Sequence, residues 1–319
     1  MNKNIFVAGH KGMVGSSLTR KLLENDDNIF TAERSDLDLT NQKELNKFFL
    51  KNKINHIYLA AAKVGGILAN DNYPAEFIYQ NLQIQMSVIH SAYTSGVGSL
   101  LFLGSSCIYP KLAKQPMNED MLLTGKLEDT NEPYAIAKIA GIKMCESYNR
   151  QYGTDFRCVM PTNLYGPRDN FNLENSHVIP ALISKFHHAK KNDSKVVEVW
   201  GTGQAKREFI HVDDLADACI FIMNINKKDY QKFIPQRNSH VNIGSGEDIS
   251  IKELANLVAE IVGFSGKILF DKNKPDGTPR KVLDVGLIES LGWKNKINLR
   301  RGIETTFKWY LDNYSILRK

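Results

Sequence analysis

The sequence predicts an α/β fold in which helices cover both faces of a parallel sheet, with a smaller α/β lid in the C-terminal half. Short apolar or β-branched runs alternate with longer amphipathic segments through the first half of the chain, and this alternation is typical of βαβ units. A glycine-rich segment follows the first apolar run directly and opens the first helix. Because a dinucleotide-binding loop occupies that position, we expect a doubly wound sheet of the Rossmann type.

The predicted elements succeed one another regularly as far as residue 166. Strands are expected at residues 5–8, 29–32, 56–62, 100–103 and 157–160, and helices at 16–24, 42–50, 77–95 and 133–152. Beyond Gly166 the helical patterns shorten and the loops become rich in Asn, Lys, Pro and Gly. We therefore assign residues 1–166 to a dinucleotide-binding domain, with returning segments near 207–220 and 240–246, and residues 167–319 mainly to a substrate-binding domain.

The composition argues against several classes of protein. The 41 Lys and Arg residues exceed the 35 Asp and Glu residues by six, but they are scattered along the chain, which does not favour nucleic-acid binding. The four cysteines lie far apart, without the spacing of a zinc site or a disulfide framework, so we expect neither. No apolar stretch approaches the roughly 20 residues of a membrane span, and a cytoplasmic protein is expected.

The glycine-rich segment predicts a binding site for a pyrophosphate. Glycine lets the backbone turn tightly and approach a phosphate, while the start of the following helix offers free N–H groups and positive potential. The spacing G-x-x-G-x-x-G differs from the G-x-G-x-x-G of many dehydrogenases, but the position after the first strand favours the same function. The residues of this loop are Gly9, His10, Lys11, Gly12, Met13, Val14 and Gly15.

The end of the second strand bears on the choice of cofactor. An acidic residue in this region binds the ribose 2′-hydroxyl of NAD, whereas an arginine accepts the 2′-phosphate of NADP. Glu33 and Arg34 stand side by side, so both cofactors are open on this observation. Arg34 offers a bidentate phosphate partner and Lys11 a second cation, which favours NADP. Asp38 and Leu39 lie just beyond, where they could meet the adenine.

A tyrosine and a lysine four residues apart suggest hydride chemistry. Pro133 and the alanines after it favour a helix start, and Tyr134 and Lys138 then share one face of that helix. A phenol, with a pKa near ~10, becomes a better acid or base when a nearby cation favours its anion. Ser105, at the end of the fourth strand, could hydrogen-bond the same substrate oxygen that Tyr134 protonates.

Several motifs resemble those of the extended short-chain dehydrogenase/reductase family across essentially the whole chain. They are the Tyr-x-x-x-Lys pair, the serine-rich strand end, the turn at residues 160–168 and the segment 207–213. A closer resemblance, to members that epimerise and reduce GDP-linked keto sugars, is carried by AAAKVGG (60–66), GSSCIYP (104–110), NEPYAIAK (131–138) and NSHVIP (175–180). It implies an enzyme that epimerises GDP-4-keto-6-deoxy-D-mannose at C3 and C5 and reduces its C4 ketone with NADPH to give GDP-L-fucose.

This chemistry makes separate demands on the residues. Inversion beside a ketone requires a base, an acid on the opposite face and a donor to the enolate oxygen. Tyr134 and Ser105 can hold the oxygen, which leaves Cys107 as the base and His177 as the acid. Modest pKa shifts would give a thiolate and an imidazolium near neutral pH. Tyr134 would then protonate the C4 oxygen, supported by Lys138 and Ser105.

The same resemblance implies further binding residues and an assembly. The cofactor-binding set adds Ala61, Lys63, Tyr134, Lys138, Pro161, Thr162, Asn163, Leu164 and His177. The substrate-binding set, with Arg207 expected at the pyrophosphate, comprises Ser106, Asn163, Lys185, Trp200, Arg207 and Asp276. The family implies a homodimer, and apolar residues on more than one face of the two long helices agree with it.

Three alternatives stay open. A sugar-nucleotide 4,6-dehydratase shares the fold, but its pattern places acidic residues where Cys107 and Ile108 stand. A UDP-sugar 4-epimerase would reuse bound NAD and would need no pair of cysteine and histidine. A non-enzymatic nucleotide sensor on the same scaffold would not require Ser105, Tyr134 and Lys138 together.

Overall fold

Six parallel strands form the central sheet of the computed structural model, which describes residues 2–172, 176–274 and 276–317. The strands of the described residues are β1 (Asn4–Ala8), β2 (Asn28–Phe30), β3 (His56–Leu59), β4 (Ser99–Leu103), β5 (Asp155–Pro161), β6 (Asn163–Tyr165), β7 (Val196–Trp200), β8 (Lys206–His211), β9 (His240–Ile243), β10 (Asp248–Ser250), β11 (Lys267–Asp271) and β12 (Arg280–Lys281). The helices are α1 (Met13–Leu22), α2 (Gln42–Lys51), α3 (Ile67–Asn72), α4 (Pro74–Thr94), α5 (Glu132–Tyr152), α6 (Val178–Lys191), α7 (Val212–Asn224), α8 (Lys227–Phe233), α9 (Ile251–Val262), α10 (Gly286–Ser290) and α11 (Leu299–Leu317).

Helices cover both faces of the central sheet, whose strand order is β2-β1-β3-β4-β5-β9. Successive side chains of a strand point to opposite faces. Accordingly Phe6 and Ala8 of β1 pack into a core with α2, α4 and α5, whereas Ile5 and Val7 pack into a second core with α1 and α7. The prediction of a doubly wound parallel sheet is confirmed.

The smaller lobe comes from the second half of the chain. Strand β8 pairs with β6, β10 and β12, strand β7 pairs with β11, and α6, α9 and α11 enclose a third core beside them. The segment 207–220 divides between the lobes, since β8 lies in the smaller sheet while α7 packs against α1. Strand β9, within residues 240–246, is the last strand of the central sheet.

Two helices begin earlier than the sequence pattern indicates. Helix α1 starts at Met13 because Gly12 serves as its N-cap, so the helix emerges directly from the glycine-rich loop. Helix α4 starts at Pro74, and proline suits a first turn because its missing N–H would have no partner there. The short α3 just before it is an element that the sequence pattern did not predict.

All four cysteines are free. Within residues 2–172, 176–274 and 276–317, no group of three His, Cys, Asp or Glu side chains could hold a metal ion. In the same part of the chain, no helix combines the length and apolar character that crossing a membrane would require.

Candidate active site

The glycine-rich loop connects β1 to α1 at the carboxyl end of the central sheet. Gly9 has a φ of +87°, in the region that favours glycine, and a Cβ there would lie 2.8 Å from the backbone nitrogen of Ala61. A Cβ on Gly15 would lie 2.1 Å from the carbonyl oxygen of Gly9. Both positions therefore require glycine, because no side-chain atom fits between the backbone segments.

The start of α1 suits the pyrophosphate of a dinucleotide. Gly12 is the N-cap residue, and no side chain caps the helix there. The Gly12 amide donates to the Gly9 carbonyl at 3.0 Å. The next amides, of Met13 and Val14, have no partner within the helix, as is general for a first helical turn. The loop thus offers N–H groups to a phosphate with no side chain competing for them.

The other predicted cofactor residues follow β2 and β3, the two strands that flank β1 in the sheet. Asp38 accepts hydrogen bonds from the turn that follows it, and these bonds lower its pKa. Leu39 packs against the first core. Lys63 forms an ion pair with Glu76. Arg34 is exposed and makes no hydrogen bond or ion pair with any described residue, so its guanidinium is available to a ligand.

A turn of 3₁₀ helix over Ser106–Ile108 follows β4. The hydroxyl of Ser105, just before it, accepts a hydrogen bond from the amide of Cys107 at 3.4 Å. Ser106 is buried, and the Cys107 side chain is half-buried. The turn thus brings a hydroxyl and a thiol to the carboxyl edge of the sheet, where open α/β folds bind their ligands.

The first turn of α5 brings Tyr134 to the same place. Burial raises the pKa of the Tyr134 phenol well above its ordinary value, the nearby Cys107 adds to the rise, and a hydrogen bond from Ser105 opposes it. Ser105, Cys107 and Tyr134 therefore form one cluster, defined here as the reaction cluster. These three predicted catalytic residues are brought together by β4 and α5.

Lys138 lies one helical turn beyond Tyr134, but its ammonium has a different partner from the one expected. Its Nζ donates to the carbonyl oxygen of Leu103 at 2.7 Å and lies 5.7 Å from the centroid of the Tyr134 ring. Burial lowers the pKa of Lys138 to about 8. The structure therefore does not show the expected lowering of the phenol pKa by Lys138, since the ammonium is directed at the Leu103 carbonyl and burial raises the pKa of the phenol.

Lys281 is a charged neighbour of the reaction cluster that the sequence did not predict. Burial raises the pKa of the Cys107 thiol, and Lys281 is the strongest of the groups that oppose this rise. Cys107 in turn raises the pKa of Lys281 against the larger lowering effect of its burial. The sequence signal was slight, since Lys281 merely follows the Asp-Gly-Thr-Pro-Arg loop at 276–280.

His177 is the N-cap residue of α6, and its side chain does not cap that helix. Its ring is exposed to solvent, yet the protein around it desolvates the ring enough to lower its pKa. No hydrogen bond or ion pair among the described residues joins His177 to the reaction cluster. Asn175, which begins the predicted NSHVIP motif, lies outside the described residues.

The pKa shifts of Cys107 and His177 both run against the expected protonation states. The sequence predicted a thiolate and an imidazolium, whereas desolvation favours the neutral thiol and the neutral imidazole. The physical reason is the same for both, since removal from water penalises whichever form is charged. Lys281 is therefore the main feature of the resting site that favours a thiolate.

The predicted residues from Pro161 to Leu164 join the two lobes. Pro161 ends β5, and Asn163 and Leu164 begin β6. The Thr162 amide donates to the last carbonyl of β9 at 3.0 Å, and the Asn163 side-chain amide donates to the Glu208 carbonyl at 2.8 Å. These hydrogen bonds hold residues 161–164 at the carboxyl end of the sheet, where the reaction cluster also lies.

The remaining predicted substrate residues lie together in the smaller lobe. The Trp200 ring, 48% exposed, stands at the end of β7 with the Nζ of Lys185 5.6 Å from its centroid. Arg207 donates to the carbonyl oxygen of Asp276 at 3.3 Å. The Asp276 carboxylate accepts hydrogen bonds from the amide and the hydroxyl of Thr202, each at 2.7 Å. Asp276 thereby connects Arg207 to the turn that follows Trp200.

A buried carboxylate that the sequence did not single out supports this surface. Glu208 is 0% exposed, and it accepts hydrogen bonds from the amides of Gly246 at 2.7 Å and Leu283 at 2.8 Å. It thereby ties β8, which carries Arg207, to the segments after β9 and β12. A glutamate in a strand usually faces solvent, so only these long-range contacts show its role.

Comparison with known proteins identifies the family. Residues 5–244 match the NAD dependent epimerase/dehydratase family. The chain belongs to this family. The matched range of this epimerase/dehydratase contains the glycine-rich loop, the whole reaction cluster and Arg207.

Curated relatives match this epimerase/dehydratase over almost its full length. A GDP-L-fucose synthase of Escherichia coli (strain K12) is 53% identical over 317 residues, which cover 99% of each chain. A GDP-L-fucose synthase of Sinorhizobium fredii is 53% identical over 311 residues, which cover 98% of this chain and 96% of the relative. The chain therefore groups with the GDP-L-fucose synthases.

Solved structures agree with this grouping. A GDP-6-OMe-4-keto-L-xylo-heptose reductase from C. jejuni superposes with a TM-score of 0.91 at 42% identity and covers 98% of both chains. A GDP-L-fucose synthetase from Naegleria fowleri bound to NADP superposes with a TM-score of 0.87 at 25% identity, covering 100% of this chain and 97% of that one. The chain is thus a nicotinamide-dependent epimerase and reductase, and the predicted enzyme class is confirmed.

Proposed function

We propose that this enzyme epimerises GDP-4-keto-6-deoxy-D-mannose at C3 and C5 and then reduces the C4 ketone with NADPH, giving GDP-L-fucose. The observation that carries the proposal is the reaction cluster, in which a hydroxyl, a thiol and a phenol meet at the carboxyl end of the sheet. A ketone reductase without epimerase activity would have no need of the thiol. The names of the 53% identical relatives support the same substrate class.

In the reduction, Tyr134 would act as the proton donor to the C4 oxygen. The cofactor supplies a hydride to carbon when it is bound. The raised pKa of Tyr134 keeps the phenol protonated at neutral pH, as a donor must be. Ser105, which opposes the rise in the pKa of the neighbouring phenol, would hydrogen-bond the same oxygen. Lys138, whose Nζ lies 5.7 Å from the centroid of the Tyr134 ring, would support the phenol electrostatically.

In the epimerisation, Tyr134 and Ser105 would stabilise the enolate oxygen while Cys107 removes a proton from the neighbouring carbon. Lys281 favours the thiolate that this step requires. His177 would return a proton from the other face of the sugar ring. Because the resting side chains are a thiol and an imidazole, Cys107 has to release its proton to solvent and His177 has to take one up before they can act as the base and the acid.

The nucleotide ends of the cofactor and of the GDP-sugar would lie on opposite sides of the reaction cluster. The glycine-rich loop would hold the cofactor pyrophosphate, with Arg34 and Lys11 at a 2′-phosphate, Asp38, Leu39, Ala61 and Lys63 near the adenosine half, and residues 161–164 near the nicotinamide half. Arg207 and Lys185 would bind the GDP pyrophosphate, and Trp200 would stack on the base. Ser106, Asn163 and Asp276 would complete the substrate site. Residues 1–166 and 167–319 would thus act mainly as cofactor and substrate domains.

The enzyme would assemble as a homodimer through α4 and α5. These helices pack against each other along the surface of the central sheet. Several of their large apolar side chains remain exposed, which an interface would cover: Tyr79, Met86, Ile136 and Tyr152. Sedimentation of the purified protein would show a dimer, and a monomer at micromolar concentration would contradict this assignment.

Product analysis tests the proposed reaction. The purified enzyme should oxidise NADPH only when the GDP-linked 4-keto sugar is added, and the product should be GDP-L-fucose. NADPH oxidation without inversion at C3 and C5 would identify a simple 4-reductase. Absence of any oxidation by the folded enzyme would refute the reductase assignment.

Substitution of the cluster residues separates the two reactions. Cys107→Ser should abolish solvent deuterium exchange at C3 and C5 while NADPH binding stays unchanged. Tyr134→Phe should reduce hydride transfer by roughly 10²- to 10⁴-fold, the usual contribution of a positioned acid.

Solvent deuterium exchange at C3 and C5 in the unchanged enzyme should accelerate as pH rises through the ionisation of the Cys107 thiol. A flat pH profile would remove Cys107 from the role of base.

A further inference from the structure

The Glu33 carboxylate lies against the glycine-rich loop. Its Oε2 is 2.7 Å from the Nζ of Lys11, and its Oε1 is 3.4 Å from the Nε2 of His10. Its backbone carbonyl accepts hydrogen bonds from the amides of Asp36 and Leu37, each at 3.0 Å. The residue is therefore held by the turn after β2 while its side chain reaches back to the loop. No step of the proposed reaction uses this contact.

Glu33 stands where this fold distinguishes NAD from NADP. In doubly wound folds an acidic residue about 20 positions after the glycine-rich loop binds the ribose 2′-hydroxyl of NAD, and an arginine nearby accommodates the 2′-phosphate of NADP. Glu33 fits the first description and Arg34 the second. Two residues with opposite preferences thus occupy one short segment.

Glu33 opposes a 2′-phosphate in two ways. Its negative charge repels the phosphate, and it already holds Lys11, the second cation available to that group. A bound 2′-phosphate would have to draw Lys11 away from the carboxylate. A 2′-hydroxyl requires no such exchange, because it can donate a hydrogen bond to the carboxylate while Lys11 stays in place. The Lys11 ammonium keeps the pKa of Glu33 below its ordinary value, so the carboxylate is charged at neutral pH.

We propose that Glu33 sets the cofactor selectivity of this enzyme by competing with the 2′-phosphate for Lys11, so that the site accepts NADH beside NADPH. This inference rests on the proposed function only in that the chain binds a nicotinamide dinucleotide. Arg34 favours NADPH and Glu33 limits that preference. The size of the effect should be modest, since the side chains of Lys11 and Glu33 are 70% and 41% exposed and solvent screens their interaction.

Direct binding of the two reduced cofactors tests the proposal. Dissociation constants for NADPH and NADH would be measured by fluorescence titration of the full-length protein without sugar nucleotide. In Glu33→Gln, we expect the NADPH constant to fall and the NADH constant to rise, which shifts their ratio by roughly three- to tenfold toward NADPH. Lys11→Gln should shift the ratio in the opposite direction.

A matched control separates this local effect from a general change of charge. Glu260 is also an exposed glutamate paired with one cation, Arg300, but it lies on α9 in the smaller lobe. Glu260→Gln should leave the ratio of the two dissociation constants unchanged. If Glu33→Gln also leaves that ratio within twofold of the unchanged protein, the proposal is overturned.

Fragments of the cofactor locate the effect at the ribose. Adenosine 2′,5′-bisphosphate should bind more tightly to Glu33→Gln than to the unchanged protein, whereas AMP should bind less tightly. Equal changes for both fragments would contradict competition at the 2′-position. These measurements need no turnover, so failure of the enzyme to reduce a GDP-linked keto sugar would refute the proposed reaction without affecting this result.

Discussion

The proposed cofactor side and the proposed substrate side of this site, called the cofactor side and the substrate side below, are held in different ways. On the cofactor side, Gly9 and Gly15 bring backbone segments into contact with no room for a side-chain atom. On the substrate side, Arg207 and the buried Glu208 hydrogen-bond to segments that are distant in sequence, and Lys281 interacts electrostatically with the distant Cys107. A close backbone contact is sensitive to volume and indifferent to pH, whereas a buried charge is sensitive to both its partner and its protonation. The two sides should therefore fail under different changes.

The largest expected effect comes from adding one carbon to the cofactor side. Gly15→Ala places a Cβ 2.1 Å from the Gly9 carbonyl oxygen, so the loop or the start of α1 has to move. We expect the free energy of unfolding to fall by about 3 kcal/mol, at the upper end for overpacking. Cofactor binding should be lost at concentrations that saturate the unchanged protein. Urea unfolding and fluorescence titration measure the two effects.

Gly12→Ala is the control for this loop. The nearest atom to a Cβ on Gly12 is 3.4 Å away, an ordinary contact, and its backbone φ of −70° suits any residue. Its unfolding free energy should stay close to that of the unchanged protein. Equal destabilisation by Gly12→Ala and Gly15→Ala would show that close backbone approach is not what fixes the loop.

The next effect tests the buried carboxylate of the substrate side. In Glu208→Gln, one carboxylate oxygen that accepts an amide hydrogen bond becomes an NH₂ group, which cannot accept one. One buried amide would lose its partner, and we expect unfolding free energy to fall by about 2 kcal/mol. Glu260→Gln, at an exposed glutamate, should cause no measurable change in urea unfolding. Equal stability of both variants would contradict the structural role of Glu208.

The sequence predicts the cofactor side better than the substrate side because the former depends on neighbours in the chain. Gly9, Gly15 and the Tyr134–Lys138 pair are recognised by spacing within one loop or one helix. Lys281 meets Cys107 only after the lobes have folded together, and no local pattern distinguishes it from a loop lysine. The directions of the Cys107 and His177 pKa shifts were also beyond prediction, since they depend on how much water the folded chain removes.

The next prediction concerns the dependence of stability on pH. The Glu119 carboxyl group accepts a 2.9 Å hydrogen bond from the backbone amide of Asn242 in β9. Burial raises the pKa of Glu119 to about 7. The pKa of Glu119 is thus higher in the folded protein than in the unfolded chain. The protonated Glu119 therefore stabilises the fold fully below about pH 4.5, and this stabilisation is lost as pH rises through about 7. Glutamine does not titrate, so the unfolding free energy of Glu119→Gln should fall less between pH 5 and pH 8 than that of the unchanged protein. We expect the two falls to differ by roughly 1 to 2 kcal/mol.

Urea unfolding of both proteins at pH 5 and pH 8 measures this difference directly. The Gly15→Ala protein serves as the control, because its defect is steric and should be the same at both pH values. If Glu119→Gln and the unchanged protein lose equal stability over this range, the carboxylate does not titrate there.

The smallest effect on stability is expected at the exposed edge of the substrate side. The Asp276 carboxylate accepts bonds from the amide and hydroxyl of Thr202, each at 2.7 Å, and its backbone carbonyl receives Arg207. Asp276→Asn keeps one acceptor oxygen, and water can replace the lost bond because the side chain is exposed. We therefore expect unfolding free energy to change by less than about 1 kcal/mol.

Affinity for GDP should respond more strongly than stability, because Asp276 joins the turn after Trp200 to Arg207. We expect the dissociation constant for GDP in Asp276→Asn to rise by roughly three- to tenfold, as for the loss of one hydrogen bond to a charged group. Asp229→Asn, in an exposed pair with Lys232 on α8, is the control and should leave GDP binding unchanged. A large loss of stability in Asp276→Asn would place this loop in the folded core. Unchanged GDP affinity would instead show that the turn keeps Trp200 in position without Asp276.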